Sequence, residues 1–188
     1  MLSDPQAADD HSIVLTALVA LGPDAVGPLT ATLESDDASL RIAALRALGS
    51  LGQFDSIAYM LGSLYGPEST PTERDVAAKA IARIAGDVPN IDEALILLEK
   101  RIEVFQREAA AAPVMQQFDS HVAAAIELSQ VANIATDLAP ADPALQRAYL
   151  RAALEVAALG AAMDGTQGEA LLDRFGIDAF DDFLRHSI

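Results

Sequence analysis

The dipeptides Leu21-Gly22, Leu51-Gly52 and Ala85-Gly86 recur at spacings of 30 and 34 residues, each closing one apolar run and preceding a second. A period of this size constrains the fold more than any local propensity does. One unit is too small to bury its own apolar face and must stack on its neighbour. Each unit is therefore expected to be helix, tight turn, helix.

Composition supports helices. The chain has 188 residues, of which 52% are hydrophobic and only 5% aromatic, with no tryptophan. About a fifth of it is alanine, the best helix former and a residue depleted in strands. Such a core has to be built from closely approaching helices. There is no cysteine, which excludes disulfides, thiolate metal sites and a cysteine nucleophile.

The helix starts are specific. In the middle unit a helix over 37–51 carries Leu40, Ala43, Ala44, Ala47, Leu48 and Leu51 on one stripe, with Arg41 and Arg46 on its polar side. In the next unit Val76, Ala77, Ala80, Ile81 and Ile84 form the stripe. Thr70 as N-cap, Pro71 at the first helical position and Glu73 three residues after the cap start that helix. The second helices are expected to begin near Asp24, Phe54 and Asn90, with Asp24 capping the first and Asn90 pairing with Glu93. Ile91, Ala94, Leu95, Leu98, Ile102 and Phe105 then form the buried face of a helix reaching about Glu108.

The run DASLRIAALRALGSLG at 37–52 resembles the first helix of a HEAT repeat, particularly the short, alanine-rich, phycobilisome-lyase-like kind. GPDAVGPL at 22–29 and LESD at 33–36 resemble that family's second helix and inter-repeat turn. The likeness is looser over 70–86, where Asp75 stands at the position matching Arg41, and residues 9–22 resemble a degenerate first helix. It covers about half the chain and stops at Glu108. The resemblance implies an all-α, right-handed alpha-alpha superhelix over residues 1–110.

Residues 111–188 follow another rhythm. A long helix over 114–138 carries Phe118, Val122, Ala125, Ile126, Val131 and Ile134 at roughly helical spacing. Asp142 and Pro143 open a helix to about Ala162, Thr166 and Glu169 open a short one to Arg174, and a terminal helix bears Phe180, Phe183 and Leu184. These helices are expected to form degenerate repeats or a capping bundle that closes the open end of the superhelix.

Candidate chemistry is sparse. His11, His121 and His186 are far apart in sequence and form no ligand pair. The segment 164–169 is too short for a calcium loop and lacks its alternating oxygen ligands. No Gly-x-Ser-x-Gly motif occurs, and the serines lie at caps, turns or on helices with no histidine beside them. Acidic pairs at Asp9-Asp10 and Asp36-Asp37 suit helix starts, and Asp181-Asp182 suits a solvated face. No metal or cofactor is expected.

With 28 acidic against 12 basic residues, the net charge is −16 at pH 7. Such a surface repels phosphate backbones and anionic lipid, so neither nucleic acid nor membrane is an expected partner. Residues 1–10 carry no basic segment of the kind that opens a secretory signal, so a cytoplasmic location is the default. What remains is surface. In the resembling family the second helix of each repeat lines the concave face, which points to Tyr59, Leu97, Lys100, Arg101 and Val104 as the partner-binding residues. The expected function is a non-catalytic scaffold or adaptor for a basic or polar protein partner. The resemblance also implies two alternatives: a ligand-handling or lyase-like protein related to the tetrapyrrole (bilin) lyases, or a segment of a longer solenoid.

Overall fold

Helices account for all the regular secondary structure among the described residues. The structure, a computed structural model, describes residues 20, 22–111 and 118–164, with side chains at 20, 22–107 and 124–156. Seven α-helices lie there: α1 Val26–Thr32, α2 Ala38–Leu51, α3 Ile57–Tyr65, α4 Pro71–Ala85, α5 Ile91–Ala111, α6 Phe118–Leu138 and α7 Pro143–Asp164. Short 3-10 turns at Gly22–Ala25 and Phe54–Ser56 precede α1 and α3. The expected helices and caps over 9–19, 114–117 and 165–188 lie outside the described residues.

Local chemistry starts four of these helices. Asp37 caps α2, its carboxylate accepting from the Ser39 N–H at 2.8 Å. Thr70 and Glu73 close a reciprocal capping box at the start of α4. At the start of α5 the Asn90 side chain accepts from the Glu93 N–H, and Glu93 accepts from the Asn90 N–H. Asp142 accepts from the Ala144 N–H at 2.7 Å, with Pro143 as the first residue of α7. Gly52 and Gly86, at φ 70° and 86°, end α2 and α4 in the left-handed conformation that glycine adopts without steric cost.

Two starts differ from expectation. Asp24 does not cap α1; it lies inside the 3-10 turn, and Ala25 occupies the cap with no side-chain bond. The second helix of the middle unit begins at Ile57, because Phe54 to Ser56 first form a tighter turn, closed by the Ser56 hydroxyl donating to the Gln53 carbonyl at 2.6 Å.

The chain divides into two compact units, Met1–Ala94 and Leu95–Ile188. Within the first, α2 and α4 pack side by side, α1 packs on α2, and α3 packs on α4. Leu29, Leu45, Leu48, Met60, Leu61 and Ile81 are its largest fully buried apolar side chains. Leu45 falls outside the expected stripe, because α2 has neighbours on two sides and buries a broader face than one stripe.

Within the second unit α6 and α7 form a helical hairpin across the short 139–142 connection. Of the apolar residues at helical spacing on α6, Ala125, Val131 and Ile134 are buried and Ile126 is exposed. It projects from the side of α6 opposite Leu128, Ala132 and Ala135, on the side that carries Gln130 and Asn133. On α5 the stripe of Ala94, Leu98, Ile102 and Phe105 is buried, whereas Ile91 in its first turn is exposed. No described helix is long and apolar enough to cross a membrane.

Candidate functional site

The register of α5 sets its surface. With Ala94, Leu98, Ile102 and Phe105 inward, the 3.6-residue turn leaves Ile96, Lys100 and Glu103 outward and places Leu97, Arg101 and Val104 along one flank. The spacing of Leu97, Lys100, Arg101 and Val104 is the i, i+3, i+4, i+7 pattern of a single face. Leu97 and Val104 are half-buried and Lys100 is exposed. The Arg101 guanidinium lies over the Phe105 ring, 4.4 Å from its centroid, so a cation–π contact holds that side chain against its own helix.

Ile96 was not among the expected residues, yet it is 50% exposed one turn before Lys100. The apolar residue outside the core stripe was the signal available in the sequence.

Tyr59 has to be corrected. It is 6% exposed and belongs to the core of the first unit, not to a surface. The reason lies in α3 itself. Its sequence IAYMLGSLY holds no charged residue, and Ile57, Ala58, Tyr59, Met60, Leu61 and Ser63 are all buried. A helix apolar all round is covered all round, so it has no solvent face to present an aromatic. Tyr59 also lies in the first unit, whereas Leu97, Lys100, Arg101 and Val104 lie together in the second.

A second constellation joins α2 to α4. The Arg41 Nε donates to Glu73 Oε1 at 2.5 Å, and its Nη1 donates to the Ser35 carbonyl at 2.6 Å. Glu73 is 1% exposed. The hydrogen bond from Arg41 holds its carboxyl well below the usual carboxylate range, at about 2, against the opposing effect of burial, and the Thr70 N–H and hydroxyl add to the lowering. Arg41, raised by the same bond, is therefore a structural cation and does not belong to the free polar side of α2. A carboxyl this acidic is a poor proton donor or acceptor near neutral pH. The arrangement fastens two helices and offers no catalytic group.

Nearby, the Tyr65 hydroxyl donates to the Pro89 carbonyl at 2.5 Å, and burial raises its pKa. This bond ties the end of α3 to the connection leading into α5. Among the described residues no group of three His, Asp or Glu side chains is arranged to hold a metal ion. His11, His186 and residues 165–169 lie outside the described residues, as does the side chain of His121.

No family model, no curated protein and no solved structure matches the chain.

Proposed function

We propose that the chain is a non-catalytic protein-interaction scaffold, built as a short HEAT-like superhelix, whose partner-binding surface is the outer flank of α5. The observation that carries this reading is the exposed Ile96 beside Leu97, Lys100 and Val104 on a continuous helical face. An exposed isoleucine with half-buried aliphatics beside it, rimmed by Glu99, Lys100 and Glu103, has the make-up of a small interface anchor with a polar rim. The side-by-side packing of α2 and α4, the first helices of successive units, supports the stacked-repeat architecture. The acidic charge of the whole chain favours a basic or polar partner through long-range attraction.

The test is quantitative capture. Tagged wild type and an Ile96→Asp/Val104→Asp variant are incubated with lysate from the source organism, and retained proteins and small molecules are read by mass spectrometry and absorbance. A protein retained near stoichiometrically by wild type and reduced about tenfold by the variant, at equal helicity, is the expected result. A coloured small molecule retained with no protein, equally by both forms, would overturn the scaffold reading in favour of ligand handling.

A further inference from the structure

The outward seam between α2 and α4 reverses the sign of the rest of the chain. Helix α2 contains no acidic residue. The two acids of α4 are both engaged: Glu73 is turned inward onto Arg41, and Asp75 lies 2.6 Å from the Lys79 ammonium. Arg46 and Arg83 are exposed, and among the described residues no carboxylate lies within ion-pair reach of either. The Arg83 Nη1 donates across the seam to the Ser50 hydroxyl at 3.4 Å, and that hydroxyl donates to the Arg46 carbonyl at 2.9 Å. Arg83 therefore stands level with Ser50, one turn from Arg46, while Lys79 follows one turn back along α4.

The packing beneath explains the juxtaposition. Gly49 lies against Ala80 so closely that a Cβ on it would fall 2.9 Å from the Ala80 Cβ. With no bulky side chain between them, the two helices bring their outer arginines to either side of one narrow seam.

We infer that this seam binds an acidic peptide segment of a partner protein, with Arg46 and Arg83 as its two anchors. Planar guanidinium groups with no internal carboxylate are suited to bidentate capture of carboxylates. In a chain with 28 acidic and 12 basic residues, two such cations side by side mark a local charge inversion. A short acidic segment can lie along this strip and make its close contacts there. A long polyanion such as nucleic acid would also meet the surrounding negative field, which repels it. The seam is separate from the α5 flank, and the inference does not depend on what α5 holds.

The experiment uses the full chain and a fluorescein-labelled peptide of alternating glutamate and glycine, read by fluorescence anisotropy in about 50 mM salt, where exposed charges are weakly screened. Arg46→Gln and Arg83→Gln should each weaken binding about threefold and the double variant at least about tenfold. Replacing both by lysine, which keeps the charge and loses the fork, should fall between. Arg147→Gln on α7 should change nothing. Glutamine is nearly as good a helix former as arginine, so helicity by circular dichroism should stay constant across the set. Undiminished binding by the double glutamine variant would overturn the proposal, as would no binding by wild type. Tighter binding of a single-stranded oligonucleotide, lost with the same two arginines, would overturn it in favour of a nucleic-acid surface.

Discussion

Glu73 stays ionised at 1% exposure because Arg41 and the start of its own helix supply everything a buried carboxylate needs. Its pKa is lowered in the folded state, so the stabilisation it gives is present above the unfolded value of about 4.3 and is lost as pH falls toward 2. Removing the cation changes this balance. Arg41→Ala should cost about 3 kcal/mol at pH 7, because it leaves a buried charge unpaired. The gap between variant and wild type should narrow as pH falls through that window, since protonation relieves the orphaned carboxylate in the variant and breaks the pair in wild type. Urea melts at pH 7, 4 and 3 would show it. A gap that stays constant would mean that Arg41 acts through packing alone.

At the scale of elements, two glycines on neighbouring helices show how the surroundings decide the effect of one added methyl. A Cβ at Gly27 in α1 meets nothing within 4 Å outside its chain neighbours, but the Pro28 ring that follows disfavours a β-carbon in the helical conformation and offsets the entropic gain, so Gly27→Ala should change stability by less than about 0.5 kcal/mol. At Gly49 the Ala80 Cβ and Cα stand at 2.9 and 3.0 Å, so Gly49→Ala should destabilise by about 1 kcal/mol after its helical gain is offset by overpacking. Thermal melts of both variants check it, with the larger drop expected at Gly49. The same contrast explains what was legible in the sequence. The starts at Thr70, Asn90 and Asp142 were readable because a cap is a bond across two or three residues. The burial of Tyr59, the exposure of Ile126 and the partner of Arg41 were not. Each depends on which neighbouring helix covers which side, and Arg41 finds Glu73 32 residues away, one repeat further along. The four residues on α5 were legible as a set because one helix fixes their relative positions.

Across the whole molecule, net charge acts on every residue at once. A value of −16 makes the folded chain repel itself, and the pairs Arg41 with Glu73 and Lys79 with Asp75 offset this only locally. Raising salt from about 50 to 500 mM shortens the screening length several-fold and should raise the melting temperature by a few degrees. Scanning calorimetry over that range checks it, and a fall would mean that local ion pairs outweigh the general repulsion. The contacts of the first unit join helices close in sequence, which favours rapid folding. One helix makes that speed matter to a cell. Because α3 is uncharged along its whole length and hidden when folded, any loosening of the helices around it uncovers nine residues, Ile57–Tyr65, with no gatekeeper charge of their own. Damage that loosened the fold would thus expose an uncharged apolar stretch, the chemistry by which chaperones and proteases tell an unfolded chain from a folded one.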